Sequence, residues 1–85
     1  MKKMVKVLEV NTDDECCCMI VLPYGSKTSI SIDINSISND AAEKTNKPKH
    51  IIKENIKKKN VGKFLVADIL EDVQMITFPE GQIKY

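Results

Sequence analysis

With 85 residues, 42% of them apolar and 29% charged, the chain has room for one globular domain spanning residues 1–85, and its composition lies outside the disordered class. A net charge of +1 argues against the strongly basic footprint of a typical nucleic-acid binder, and so small a domain has little core to spare for lining a deep substrate cleft. All thirteen basic residues are lysine, so the planar fork with which arginine reads guanine or grips a carboxylate is absent.

Lysine, isoleucine and asparagine, all with AT-rich codons, supply 30 residues, which points to an AT-rich genome such as that of a low-GC bacterium or its phage. Lys6 and Glu9 interrupt the only apolar run near the N-terminus, and no signal-peptide core or spanning segment is visible. The three cysteines, Cys16, Cys17 and Cys18, are adjacent and cannot staple distant parts of a fold. Cytoplasmic localisation is the expectation.

In chain order, residues 4–10 are rich in β-branched side chains and partly alternating, which predicts a strand. Asn11, Thr12, Asp13 and Asp14 predict a turn. Residues 15–22 are almost continuously apolar, as expected of a strand covered on both faces, and Pro23-Tyr24-Gly25-Ser26 ends it, with the proline expected in the second place of a turn. Over 27–34, Thr28, Ile30, Ile32 and Ile34 alternate with Lys27, Ser29, Ser31 and Asp33, which predicts a strand with one dry and one wet face. These three segments predict a three-stranded antiparallel meander.

Ser38, Asn39 and Asp40 are candidate helix caps, Asp40 and Glu43 having capping-box spacing, so a short helical turn is expected there. Pro48 interrupts it and opens a second helix that runs to about Asn60, where Gly62 supplies a left-handed stop. On this helix Ile51, Ile52 and Ile56 are expected to face the sheet, and Lys49, Lys53 and Lys57 to form a stripe in water. Residues 64–70 suit either a helix or a buried strand, and the short apolar run after a glycine favours the strand. Residues 73–78 read as a further strand, with Pro79-Glu80-Gly81 turning into a last one at 83–85. The fold class is α+β: a three-stranded antiparallel meander, one helix region packed on it, then two or three short C-terminal strands. A small barrel of OB-like or SH3-like order fits the same elements.

No arrangement of residues announces catalysis. A structural zinc site needs four ligands, whereas Cys16 and Cys18 share one strand face, Cys17 takes the other, and His50 is the sole histidine. Buried strand cysteines acting as small hydrophobes are the simpler reading, and a cysteine nucleophile lacks an orienting partner. Asp13, Asp14 and Glu15 lack the alternating ligands and glycine of a calcium loop. No cofactor is expected and no metal. The clearest anomaly is charge: residues 41–63 carry +6, against −2 before them and −3 after. Lys49, Lys53 and Lys57 are therefore candidate residues for an anion or a partner, while Lys57, Lys58 and Lys59 also suit a helix C-terminus. The leading expectation is a non-enzymatic protein-binding or regulatory module, such as an inhibitor of a protein partner or a self-associating domain, with no membrane role. The alternative is nucleic-acid or nucleotide binding through the lysine-rich segment 44–63, which the scarcity of aromatic stacking residues weakens.

Overall fold

The computed structural model describes residues 2–13, 17–70 and 75–85. The expectations for Asp14, Glu15 and Cys16, and for the start of a strand at Val73, lie outside them. The element order is β1 (Lys2–Thr12), β2 (Cys17–Pro23), β3 (Ile30–Asp33), α1 (Asn35–Thr45), α2 (Lys49–Asn60), β4 (Phe64–Leu70) and β5 (Met75–Thr77), an α+β domain.

The five strands form one antiparallel sheet in the order β3-β2-β1-β4-β5. Here the structure departs from a meander followed by separate C-terminal strands. β4 docks on the free edge of β1, Lys6 opposite Phe64 and Lys2 opposite Asp68, so the first strand of the chain becomes the centre of the sheet. The sheet curls into a nearly closed barrel, and β3 and β5 are its two unpaired edges. A register shift between Val7 and Glu9 lets the long β1 bend against β2.

Alternation sorts the strands cleanly. Val5, Val7 and Val10 of β1, Cys17, Met19 and Val21 of β2, and Leu65, Ala67 and Ile69 of β4 point inward, where Ile34, Ala41, Ile52, Ile56 and Ile83 meet them. β3 is shorter than its sequence pattern. Ser26 and Thr28 bond each other locally, Ser26 Oγ accepting from the Thr28 N–H at 3.1 Å, and this turn keeps Thr28 exposed and out of the strand. The preceding turn closes from the Ser26 N–H to the Pro23 carbonyl at 3.0 Å, so Pro23 takes its first place and Gly25 supplies the left-handed third at φ 82°.

The helix region comprises two helices, as the break at Pro48 implies, but the expected short turn is an eleven-residue helix, α1, that begins at Asn35, ahead of the expected capping box. Asp33 sets that start by accepting the Asn35 N–H at 2.8 Å, and the buried Ser38 hydroxyl donates to the Ile34 carbonyl at 2.8 Å. Asn46 ends α1 in the left-handed conformation, and Pro48 caps α2 with extended angles. Gly62, at φ 81°, donates to the Val7 carbonyl at 2.8 Å, and Val7 donates to the Lys63 carbonyl at 2.9 Å, so the glycine both stops α2 and hands the chain to the sheet. Residues 83–85 form no strand: Ile83 enters the core, and the Gln82 side chain accepts the Val66 N–H at 2.9 Å, serving the stretch of β4 that precedes its pairing with β5. Among the described residues, no helix is long and apolar enough to cross a membrane.

Candidate functional site

The three candidate lysines do not form one outer stripe. Lys57 is exposed, Lys49 is half-buried and Lys53 is buried, at 7% exposure, beside Ile52, Ile56 and Asn60. Ile51, expected inside, is exposed. The inner face of α2 runs through Lys49, Ile52, Lys53, Ile56 and Asn60, rotated by roughly 70° from the face its isoleucines alone define at 100° per residue. The reason is chemical: a lysine stem is four methylenes long and covers apolar surface while its ammonium reaches outward, so Lys49 and Lys53 belong to the packed side.

Lys49 and Lys53 instead line a shallow depression with Thr12, His50 and Glu54. Their charges also reach Cys17. Burial pushes the Cys17 thiol above its ordinary value of 9.0; Lys53 and Lys49 oppose that shift, and Asp33 adds to it. A thiol held protonated is a poor nucleophile, in keeping with a strand residue that packs. Cys18 lies on the opposite face of β2, half-buried. His50 is exposed. Among the described residues no group of three or more histidine, cysteine or acidic side chains is arranged to hold a metal ion.

A further surface feature lies on the sheet itself. Both helices lie on the inner side of the sheet, so the outer side is uncovered. Met4, Phe64, Leu70 and Met75 are exposed there, Phe64 by 58% and Met75 by 55%, with Ile20, Leu22 and Val66 half-buried between them. The register sets Met4 beside Val66 and places Leu22 and Phe64 on either side of Lys6, while Leu70 and Met75 form a second apolar pair beyond the polar row of Lys2, Asp68 and Thr77. Lys6 lies over the Phe64 ring at 5.9 Å from its centre. Lys2, Lys6, Glu9 and Asp68 interleave charge of both signs with these apolar side chains. The continuous apolar run of β2 did carry the signal, since it predicts a strand with cover on both faces, and this structure covers one.

Compared with protein-family models, with curated proteins and with solved structures, the chain matches none. Its function is therefore argued from its own surface.

Proposed function

We propose that this domain is a non-enzymatic module that works in the cytoplasm by binding protein, with the outer face of the sheet as its docking surface and a second copy of the chain as the occupant. The observation that carries this reading is the uncovered apolar face spanning β2, β1 and β4. The exposed parts of its apolar side chains amount to something on the order of 300 Å², within the range of the largest patch on a free monomer, and the flanking Leu70–Met75 pair and charged side chains would supply the rest of the ~800 Å² each partner contributes to a stable interface. Charges of both signs lie on this face, with Lys2 directly opposite Asp68, so a second copy turned by half a turn meets no field of a single sign. Two sheets so packed, about 10 Å apart, give β2 its second layer. A small regulator or inhibitor of another protein fits the same description.

Light scattering on the purified protein tests this. A dimer is expected at about 100 µM, and Phe64→Lys, which alters only an exposed side chain on that face, should yield a folded monomer. A monomeric wild-type protein at that concentration would overturn the choice of occupant.

A second reading, anion binding, has one observation in its favour: Lys49, Lys53 and His50 share a depression. The Glu54 carboxylate in the same depression and the burial of Lys53 weaken it. Titration with inorganic phosphate and with a single-stranded oligonucleotide tests it, with Lys49→Gln expected to lower any affinity found and its salt dependence.

A further inference from the structure

The barrel fails to close along one line, between the edge strands β3 and β5, and the core is open there. Six partly buried hydrophobic residues pack against the core: Ile30, Ile32, Ile37, Ala42, Ile76 and Phe78. All but Ala42 line two depressions that meet at Ile76. One lies between β3, α1 and the segment after β5, and the other between the start of β3 and Ile69 of β4. The unfinished part of the core is thus a continuous groove along the seam. Its two long sides are sheet edges, whose outward backbone N–H and C=O groups meet no further strand among the described residues.

We infer that this seam is a binding site for an extended peptide strand carrying alternate apolar and basic side chains. Such a strand can add to the free edge of β3, with β5 across the groove. With a period of two, its apolar side chains face down onto Ile30, Ile32, Ile76 and Phe78 while the others point outward. The rim decides their sign. Asp33, Asp40 and Glu80 stand around the depression beside α1 against a single lysine, Lys44, whose ammonium lies 4.0 Å from Glu80. A second copy suits this groove poorly: in a fully overlapped two-fold pairing of β3 with β3, Asp33 faces Ile30, and the strand brings no basic side chain to the acids of the rim. Backbone pairing distinguishes this ligand from a lipid or a small apolar molecule, which would leave the edge groups unmatched. The site is independent of the outer sheet face.

The experiment uses a nine-residue synthetic peptide alternating isoleucine or valine with lysine or threonine, titrated into the isotopically labelled full chain. Saturable binding is expected below about 1 mM. Slowed amide exchange should be confined to residues 30–33 and 75–77, and the affinity should be equal in wild type and Phe64→Lys, so that failure of the outer-face dimer and failure of the seam are read separately. The double change Asp33→Asn and Asp40→Asn, which keeps the oxygen that accepts the Asn35 N–H, should weaken binding roughly tenfold. The same peptide N-methylated at alternate residues should not bind, because its edge cannot pair. No saturation up to that concentration, undiminished binding of the methylated peptide, affinity unchanged by the double change, or protection mapping to the outer sheet face would each overturn the inference. So would protection of 30–33 that appears without peptide and grows with protein concentration, which would mean that copies of the chain pair there.

Discussion

Asn60 holds both backbone groups of Lys84. Its side-chain amide donates to the Lys84 carbonyl at 2.7 Å, and its side-chain oxygen accepts the Lys84 N–H at 3.1 Å. The same nitrogen donates to the Ile56 carbonyl at 2.7 Å, so a fully buried residue at the last turn of α2 ties the C-terminal segment to the helix. Lys59 adds a weaker, exposed bond from its ammonium to the Tyr85 carbonyl at 3.2 Å.

Asn60→Ala should therefore lower stability by about 2–3 kcal/mol, the sum of several modest bonds and an emptied buried site. Asn60→Asp should cost at least as much at neutral pH, since a carboxylate can accept from Lys84 but faces two carbonyl oxygens to which it cannot donate. Urea denaturation checks both, and a midpoint unchanged by Asn60→Ala would mean that the C-terminal segment is not held as described.

The two lysines four residues apart on α2 should behave oppositely. Lys53→Asp puts a reversed charge into the packed side of the helix and should cost more than about 2 kcal/mol, whereas Lys57→Asp should stay within about 0.5 kcal/mol of wild type. Lys53→Met, which keeps the stem, should be tolerated. Thermal denaturation of the three variants is sufficient, and equal tolerance of both aspartates would restore the stripe read from the sequence.

Cys17 predicts an alkaline loss of stability. Its thiol holds its proton more tightly in the folded protein than in the unfolded chain, chiefly through burial. The contribution is complete below the ordinary value of 9.0 and is lost as pH climbs from there through the raised folded value. Between about pH 8 and pH 10 the wild type should thus lose more stability than Cys17→Ala, with lysines and tyrosines common to both cancelling in the comparison. Alkylation below that range should modify Cys18 before Cys17, as located by fragment mass spectrometry.

Along 31–34 the cost of an introduced charge should follow depth. Ile34→Asp, at a fully buried site, should unfold the domain; Ile32→Asp, on the rim of the seam, should destabilise it by an intermediate amount; and Ser31→Asp, on the outer face, should be nearly silent. Circular dichroism melts of the three give the order, and a silent Ile32→Asp would show that the seam does not belong to the core.

Much of this architecture is legible in the residues. The β-branched run of 4–10, the apolar run ending at Pro23, and the proline and glycine that bracket 48–62 each carry a local physical signal, and the elements follow them. The start of α1 was not legible, because it depends on which of several polar side chains reaches which N–H, and Asp33 takes that role rather than Asp40. Nor was the orientation of α2, since a wheel drawn on isoleucines ignores lysine stems and cannot foresee that Asn60 turns inward to meet a segment more than twenty residues later. The outer apolar face and the seam were legible only in part. The second apolar face of β2 is written in Cys18, Ile20 and Leu22, but the seam depends on which strands remain edges, which only the docking of β4 against β1 decides.

That same docking sets a timetable. β1 is synthesised ahead of the other four strands, and its two neighbours lie far apart in the chain, with Lys2 opposite Asp68 and Val5 opposite both Pro23 and Leu65. A nascent chain can join β1 to β2 and β3 early, yet one edge of its central strand waits bare until residue 64 and beyond have emerged. Pairings across so long a loop are slow to form, and they place this domain with the millisecond-to-second folders rather than with helical bundles of equal size. The exposed edge of an unfinished β1, flanked by the apolar outer face, is then the moment of greatest danger for aggregation during synthesis.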